Sequence, residues 1–550
     1  MQTIEGSFDF IVVGGGTAGC LLAARLSADS RRRVCLIEAG GDGRSRAVDV
    51  PSGLVMAQRS PELNWRYQSA PQPRLAGRRI GYPRGKGLGG SALINGMVYF
   101  RGHPLDFDDW ARAGATGWGY RDVLPYFRRS ERNENHPDSP FHGRSGPMNV
   151  RTVTHPNRLN FAFFDALESL GIAPNPDLNA GDSEGSALRQ LQIRDGIRDT
   201  TARAMLRPAL GRANLVVLTG AHATRVLLEG QRATGVEALA PEGFLTVRCR
   251  GEVVLSAGAL QSPQLLLLSG IGDGSELAQA GITPRHQLPG VGRNLHDHLA
   301  SPVHRSTKIS DSYGMSWKAL PRNAWQAAQY LFRRIGPLAN NIFEAAAFVR
   351  TKEGLDRPDV QLVFQPAKRP SPKFPFPVGH GYAISPVGLY PRSRGRITLS
   401  GPDPLAPPVI DPALLSAPED IEPLIRGIRL ARRVFDALPF AHYRAAETAP
   451  GLERDSDESL SEYIRNEAYT VHHPVSTCRM GQDADAVVDP ELRVRGLDGL
   501  RVADASVFPS IVGGNTNAAV MMVAEKAADL LLDRTPLAPA EIPELQRTRP

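Results

Sequence analysis

The feature that most constrains this chain is a strand–turn–helix–strand pattern in residues 8–38. Phe8–Val13 is a short apolar run of the kind that forms a buried strand, and Val34–Ile37 is a second one. The small and aliphatic residues between them suit a helix packed on a sheet. The turn before this helix carries glycines in G-x-G-x-x-G spacing: Gly14, Gly16 and Gly19. This order of elements is typical of the βαβ unit that binds dinucleotides.

Each residue type in this unit has a physical role in holding a dinucleotide. The first glycine permits the tight turn, the second lets backbone N–H groups approach a pyrophosphate, and the third brings the helix close to the strand. The start of the helix, with Thr17 and Ala18, offers unpaired N–H donors to phosphates. Glu38 ends the second strand, where its carboxylate can accept hydrogen bonds from ribose hydroxyls and would repel a 2′-phosphate. The unit therefore disfavours NADP but does not distinguish FAD from NAD.

Length and charge limit the remaining possibilities. A chain of 550 residues exceeds one ordinary core, so we expect two or more domains. The hydrophobic fraction of 41% and the charged fraction of 22% are ordinary for a soluble globular protein. The net charge is +7, but Lys and Arg are scattered, and the densest run, Arg31–Arg33, fits a solvated turn. We therefore expect no nucleic-acid partner.

The cysteines and the N-terminal sequence indicate a reducing compartment. The cysteines lack C-x-x-C spacing, and Cys20 and Cys35 lie in the apolar βαβ unit, so buried free thiols are expected. No basic and apolar leader precedes the first strand, and no stretch reaches the roughly 18 apolar residues of a spanning helix. We predict a cytoplasmic protein that is either soluble or peripheral to the inner membrane.

A second glycine-rich loop lies at residues 82–102, with the sequence YPRGKGLGGSALINGMVYFRG. Asn95 lies within it. So much glycine predicts that the backbone passes very close to a bound group, most simply the same nucleotide or the ring attached to it. The alternative is a set of tight turns that binds nothing.

The rest of the chain contains two regions that differ in residue pattern. Apolar runs predict a β-meander of four strands at residues 215–218, 223–228, 233–239 and 244–250. One more buried strand is predicted at residues 252–257. Between residues 299 and 480, alternating segments, prolines and aromatics indicate an antiparallel sheet with helices. Helices are predicted at residues 160–170, 258–270, 421–438 and 517–532. The proline-rich tail from Arg534 is predicted to be disordered.

Six stretches, in order along the chain, together resemble the glucose–methanol–choline (GMC) family of flavin oxidoreductases. They are the βαβ unit, RGKGLGGSALINGMVYFRG, GALQSPQLLLLSGIG, GVGRNLHDH, HHPVSTCRMG and RVADASVFPSIVGGNTNAAVMM. The resemblance covers about residues 8–533 and is strongest to the bacterial choline dehydrogenases and aliphatic alcohol dehydrogenases. It implies an enzyme that oxidises CH–OH groups with FAD.

The resemblance also implies the architecture. The expected fold is α/β, or α+β overall, with a Rossmann-like FAD-binding domain and a substrate domain built on an antiparallel sheet with helices. The FAD-binding domain would be discontinuous and comprise residues 1–155, 205–300 and 480–533. The substrate domain would take residues 156–204 and 301–479, which leaves 534–550 as the disordered tail.

The family's cofactor contacts carry over to matching positions of this chain. The ADP half would be held by the βαβ unit and Glu38, and adenine would meet the backbone of Val226. The pyrophosphate and flavin would lie against Gly89, Gly90, Ser91 and Asn95. The C-terminal FAD contacts of the family match Asp504, Ala505 and Asn517, the last beside the pyrimidine end of the flavin.

Two positions of the second glycine loop depart from relatives. Ala92 replaces a second serine that many relatives have, which removes one hydrogen bond without abolishing cofactor binding. Ile94 stands where some relatives carry the histidine that links to the flavin. The resemblance therefore implies that FAD is bound non-covalently.

The catalytic pair implied by the family is His473 and Asn515. Alcohol oxidation needs a base for the hydroxyl proton, and a neutral imidazole with an ordinary pKa near 6.5 suits that role. Asn515 would hydrogen-bond the alcohol and hold it in place. His472 is the rival base, but His473 directly precedes Pro474 in the family's HP-x-x-T pattern.

Other reactive side chains receive structural interpretations. His296 and His298 alternate along the chain without a third ligand nearby in sequence, so no metal site is predicted. Ser262 and Ser269 lack the G-x-S-x-G context of serine hydrolases.

The expected substrate is a small alcohol, preferably an uncharged and largely apolar primary alcohol that is oxidised to the aldehyde. Choline is the alternative, because Glu344 resembles an acidic position of the choline enzymes, whereas His472 replaces an aromatic residue there. A lyase-type activity on the same flavin scaffold is a further alternative. The electron acceptor is oxygen, a quinone or another carrier, and the oligomeric state is not predicted.

Overall fold

Two β-sheets organise the chain, and the computed structural model describes residues 2–368, 377–443 and 446–542. The first sheet has the strand order Leu215–Thr219, Val34–Glu38, Gln2–Val13, Gly243–Leu255, Arg232–Ala240 and His222–Glu229, with Leu500–Val502 also paired to Gly243–Leu255. Neighbours around Gln2–Val13 are parallel, and the last strands form antiparallel hairpins. Val34–Glu38 is buried at every position, as expected for a parallel strand covered on both faces.

Helices cover the faces of the first sheet. Thr17–Leu26 follows the first strand, and all of its residues but Arg25 are buried. It packs against Asn517–Leu531, which in turn contacts Tyr120–Ser130. A Cβ atom at Gly19 would lie 1.8 Å from the carbonyl oxygen of Gly14, so only glycine permits this close approach of helix and strand.

The second sheet is antiparallel. Its order is Glu447–Ala449, Val303–Thr307, His380–Gly388, Val360–Gln365, Ala345–Val349 and Gly185–Leu188, with Leu299–Ala300 joining His380–Gly388 to Tyr469–Thr470. Its core contacts the helices Leu159–Ser169, Glu422–Asp436 and Asp457–Glu467. These two sheets and their helices confirm the predicted fold class, a Rossmann-like domain plus an antiparallel domain with helices. The exact domain boundaries stay a prediction.

Short elements connect these layers. The remaining strands are Tyr67–Gln68, Gly81–Tyr82, Glu131–Asn133, Met148–Thr152, Gln190–Leu191, Ile193–Arg194, Ile197–Arg198, Ile271–Gly272, His286–Gln287, Arg396–Thr398 and Val409–Asp411. The remaining α-helices are Arg46–Asp49, Leu54–Arg59, Pro104–Arg112, Arg207–Ala209, Gly258–Leu268, Gly274–Gln279 and Leu320–Arg333.

Two predictions about the first sheet are wrong. Residues 215–218 do not belong to the β-meander, because Leu215–Thr219 pairs in parallel with Val34–Glu38 at the sheet edge. Residues 244–250 and 252–257 are not separate strands, since Gly243–Leu255 runs continuously through Gly251. The first part of Gly243–Leu255 pairs with Arg232–Ala240. The same strand pairs with Gln2–Val13 as far as Leu255.

The predicted disorder of the tail is wrong for residues 534–542. The backbone N–H of Leu537 donates to the hydroxyl of Tyr126 at 3.1 Å, and that of Ala540 donates to the carbonyl of Arg121 at 2.8 Å. The prolines exclude a helix there but leave an extended path along Tyr120–Ser130. Residues 543–550 lie outside the described part of the chain.

Within the described residues, no helix has both the length and the apolarity that crossing a bilayer requires. The thiols of Cys20, Cys35, Cys249 and Cys478 are free and buried, as predicted.

Candidate active site

A cavity of about 510 Å³ lies where residues of the two sheets meet. Val13 and Glu38 line it from the first sheet, and Gln361 and Ser385 line it from the second. Most of the predicted site residues line it too: Gly14, Gly16, Thr17, Ala18, Gly90, Ser91, Asn95, Asp504, Ala505, Asn515, Asn517 and His473. The folded chain therefore brings together residues that are distant in sequence.

The two glycine loops touch each other at one end of this cavity. Gly90 has a φ of +53°, and a Cβ atom there would lie 2.6 Å from the Cα atom of Gly16. Gly14 has a φ of +100°, and its Cβ atom would lie 2.6 Å from the carbonyl oxygen of Ser256. Side chains at these positions would fill the space beside the start of the helix Thr17–Leu26, where N–H groups are unpaired within the helix.

Glu38 is buried at the same end and accepts hydrogen bonds from three backbone N–H groups. Oε1 accepts from Gly40 at 2.7 Å and from Gly87 at 2.9 Å, and Oε2 accepts from Gly15 at 2.7 Å. Burial raises the pKa of this carboxyl group, while the backbone donors lower it. A carboxylate has about four acceptor positions, so this one retains capacity for a ribose hydroxyl.

The C-terminal segment completes this end. Asp504 accepts from the hydroxyl of Ser262 at 2.5 Å and from the N–H of Gly258 at 2.8 Å. Asn517 accepts from the hydroxyl of Thr17 at 2.8 Å and donates to the Gln192 side chain at 2.7 Å. Sequence reasoning treated Ser262 only as a candidate nucleophile and missed this role.

The contact of the Val226 backbone with adenine stays a prediction, and the geometry around Val226 does not favour it. Its N–H already donates to the hydroxyl of Ser269 at 2.8 Å, and Val226 is absent from the cavity wall. Residues 221–223, at the start of the same strand and just before it, line the cavity instead. Gly19 and Gly89 also lie behind the lining, where the N–H of Gly89 donates to the carbonyl of Gly15 at 2.7 Å.

His473 and Asn515 meet at the other end of the cavity. Nδ2 of Asn515 lies 3.1 Å from Nε2 of His473. Oδ1 of Asn515 is buried and has no partner among the residues that the structure describes. Such an acceptor is costly to leave unpaired, so a donor on a bound molecule is expected beside it.

The protonation of His473 follows from its neighbours. Nε2 of His298 lies 2.9 Å from the carbonyl oxygen of Leu389, which can only accept, so this nitrogen carries the proton. The Nδ1 atoms of His298 and His473 are 3.0 Å apart, so His473 donates from Nδ1 to the free lone pair of His298. Neutral His473 then has its lone pair on Nε2, the nitrogen beside Asn515.

The backbone around His473 is also fixed. Its N–H donates to Oδ1 of Asp297 at 2.7 Å, and Arg84 donates to the carbonyl of His472 at 2.6 Å. Burial raises the pKa of Asp297 to about 7. Sequence reasoning took the His296–His298 segment as structural without seeing these contacts. The sequence did mark this segment, because GVGRNLHDH is one of the six stretches that resemble the family.

His472 lines the cavity as well, but its contacts differ. Its φ is +66°, and its Nδ1 lies 3.2 Å from the hydroxyl of Thr470. Burial lowers the pKa of His472 to about 3. Burial and the charges of His298, His472, Arg84 and Arg189 lower the pKa of His473 well below its ordinary value. His473 is therefore neutral at neutral pH.

The described residues contain no group of His, Cys, Asp and Glu side chains arranged to hold a metal ion. Nδ1 of His296 lies 2.7 Å from the carbonyl of Asn294, and its Nε2 accepts from the N–H of Ile511 at 3.0 Å. Both nitrogens are therefore used within the protein.

The chemistry of the cavity fits a flavin dinucleotide with an alcohol beside it. At one end, glycine backbone, a helix start and Glu38 suit a pyrophosphate and ribose. At the other end, an imidazole lone pair that can take a proton and an amide N–H that can donate to an oxygen suit a hydroxyl group.

Comparisons with known proteins agree with this geometry. Two family models described as GMC oxidoreductase match residues 8–300 and 391–524. The chain is 41% identical over 533 residues to an alcohol dehydrogenase [acceptor] of Pseudomonas putida, a match that spans 96% of this chain and 97% of that protein. It is 40% identical over 546 residues to an oxygen-dependent choline dehydrogenase of Photobacterium profundum, spanning 98% and 95%.

Solved structures are similar over the same length. Pyridoxine 4-oxidase from Mesorbium loti has a TM-score of 0.87 and 34% identity, covering 96% of this chain and 100% of that one. A formate oxidase structure has a TM-score of 0.89 and 27% identity, covering 96% and 99%.

Proposed function

Since this chain belongs to the GMC oxidoreductase family, a family of FAD-dependent enzymes that act on CH–OH groups, we propose that it oxidises a primary alcohol to the aldehyde with His473 as general base. The observation that supports this most strongly is the series of hydrogen bonds from Leu389 through His298 to His473. It leaves Nε2 of His473 as a proton acceptor in the cavity.

When bound, FAD supplies the acceptor for the hydride at flavin N5. His473 takes the hydroxyl proton on Nε2 while the substrate carbon gives up its hydride. Asn515 holds the alcohol oxygen in place by donating from Nδ2, which lies beside Nε2 of His473, so the hydroxyl proton stays available to the base. Asp297 and Arg84 keep the backbone at positions 472 and 473 in one arrangement. The electrons then pass to oxygen, a quinone or another carrier.

FAD would be held at the glycine end by Gly14, Gly16, Gly90, Glu38 and Asp504, and without a covalent bond. Ile94 lines the cavity at the position where some relatives bear a histidine, and it offers no nucleophile. The free cysteines of the described chain are absent from the cavity wall.

Choline is disfavoured as substrate by the position of Glu344. Its carboxylate accepts from the hydroxyl of Tyr313 at 2.7 Å, from the N–H of Asn157 at 2.9 Å and from the side chain of Asn160 at 2.5 Å. It is fully buried and absent from the cavity wall, so it offers no negative charge to a trimethylammonium group.

The test is anaerobic flavin reduction by a panel of primary alcohols. Bleaching of the flavin by an alcohol supports oxidation, whereas a flavin that stays oxidised with every alcohol contradicts it and favours a lyase-type activity. His473→Ala should keep FAD and lose about 10²-fold or more in the reduction rate. His472→Ala is the matched control, and a larger loss in that variant would assign the base to His472.

A further inference from the structure

Arg189 lines the cavity of the candidate active site and also the edge of a smaller one, and its guanidinium is buried. Arg189 is only 6% exposed, and its Nε and Nη2 atoms have no hydrogen-bond partner within the described chain. Its backbone is fixed by the strands around it: its N–H donates to the carbonyl of Glu344 at 2.8 Å, and its carbonyl accepts from Val153 at 2.9 Å. The backbone at Arg189 is therefore held in place, and the described residues provide no hydrogen bond to Nε or Nη2.

The charges that line the cavity are divided between its two ends. Glu38 and Asp504, the acidic residues of the wall, lie at the glycine end and accept several hydrogen bonds there. At the other end, Arg84 donates to the carbonyl of His472, and Asp297 lies close enough to stabilise its charge. Arg189 has no comparable acid among the described residues.

Burial lowers the pKa of Arg189 to about 10, which still leaves it cationic at neutral pH. A buried cation without a counter-ion is strongly unfavourable. No acid among the described residues compensates the charge of Arg189, so an anion bound in the cavity would do so.

Arg189 lies at the substrate end. Arg189 and His473 line the same cavity, and the charge of Arg189 is among those that lower the pKa of His473. Arg189 follows Gly185–Leu188, a strand of the second sheet, and shares the cavity wall with Val98 and Phe343. The glycine end, which suits phosphates, is built from the first sheet instead.

We propose that the substrate is an alcohol that carries a carboxylate, and that Arg189 binds this carboxylate while the hydroxyl faces His473. The inference deepens the proposed function and rests on it. A guanidinium matches a carboxylate through paired, charge-assisted hydrogen bonds. The same positive charge repels choline, and it replaces the uncharged substrate expected from the sequence with an anionic one.

The reaction itself is unchanged by the carboxylate. The CH₂OH group becomes CHO as two electrons and one proton leave carbon as hydride for FAD, and the hydroxyl proton goes to His473. The carboxylate keeps its charge and takes no part in bond breaking.

Binding can be tested without turnover. Benzoate should perturb the visible absorption of the oxidised holoenzyme, whereas benzamide, its neutral analogue, should bind at least about 10-fold more weakly. Arg189→Gln should raise the Kd for benzoate about 10-fold or more and leave benzamide unchanged. Arg189→Lys should keep part of the affinity. Arg151→Gln is the control, because Arg151 is partly buried but absent from the cavity wall.

Turnover gives the second measurement. The kcat/KM for 4-(hydroxymethyl)benzoate should exceed that for its methyl ester about 10-fold or more, and Arg189→Gln should abolish the preference. Equal or better use of the ester by the wild type would overturn the proposal and leave alcohol oxidation standing. Loss of FAD from Arg189→Gln without loss of the preference would also overturn it, by assigning Arg189 to the cofactor. If no alcohol reduces the flavin, the proposed function fails, and benzoate binding still decides the role of Arg189.

Discussion

Nδ1 of His298 lies 3.0 Å from Nδ1 of His473, and the two rings are nearly perpendicular at 87°. His298 is thus a positioning residue: it accepts the Nδ1 proton and leaves the lone pair on Nε2, which faces Nδ2 of Asn515 and can take the substrate proton. In many enzymes a carboxylate accepts the Nδ1 proton of the catalytic histidine. Here a neutral histidine, His298, whose Nε2 donates to the carbonyl of Leu389, accepts that proton instead.

Removal of this acceptor should slow flavin reduction. We expect His298→Ala to retain FAD and to lose on the order of 10-fold to 10²-fold in the reduction rate, because the correct tautomer of His473 is no longer favoured. His298→Asn should recover part of the rate, since its amide oxygen can accept the same proton. The pH profile is the second readout. The wild-type rate should stay level down to about pH 6, and the rate of His298→Ala should fall below about pH 6.5 as water raises the pKa of His473.

An unchanged rate and pH profile in His298→Ala would show that the contact is only structural. Equal losses in the Ala and Asn variants would also contradict the role of the acceptor.

Asp297 should make stability depend on pH. Burial raises its pKa from an ordinary 3.8 to about 7, so its contribution to stability is full below about pH 4 and is lost as pH rises through about 7. Asp297→Asn, which retains an acceptor for the N–H of His473, should therefore gain stability relative to the wild type between about pH 5 and 8. The difference in Tm should grow by about 2–4 °C or more.

The matched control for this measurement is Asp483→Asn. Its bond to Arg479 lowers the pKa of Asp483 to about 2, so the group is ionised in both states across this range. Its Tm difference should stay constant. A constant difference for Asp297→Asn would contradict the raised pKa.

The contact between the two glycine loops should be sensitive to a single methyl group. Gly90→Ala places a Cβ atom 2.6 Å from the Cα atom of Gly16 and forces a left-handed φ on alanine. We expect a cost of about 1–3 kcal/mol and a lower flavin-to-protein ratio after purification. Gly41→Ala is the control, since its Cβ atom would meet nothing within 4 Å. Full flavin content in Gly90→Ala would show that the loops can separate without harm.

Acid precipitation should separate the flavin from the protein. Because Ile94 offers no nucleophile at the position of the known covalent link, the yellow colour should pass into the supernatant after complete unfolding. Colour in the washed pellet would indicate a bond to another side chain of the cavity, and peptide mapping would then locate it.

The sequence predicts the first sheet and its cofactor end better than the substrate end. Gly14, Gly16 and Gly90 belong to local motifs whose spacing determines their backbone, so their place in the cavity follows from neighbours in sequence. Val226 was assigned by matching a position of the family, whereas residues 221–223 of the same segment line the cavity. Arg189 carries no motif at all. Its burial depends on strands drawn from separate parts of the chain, which only tertiary packing decides.

The hydrogen bond from Thr17 to Asn517 determines when the cofactor end of the cavity can be completed during synthesis of the chain. It joins the first helix to the last across nearly the whole sequence, and both residues line the cofactor end of the cavity. At about 5–20 residues per second, synthesis separates the two residues by roughly 25 to 100 s. A nascent chain therefore presents its first glycine loop long before Asn517 is available to complete this end of the cavity.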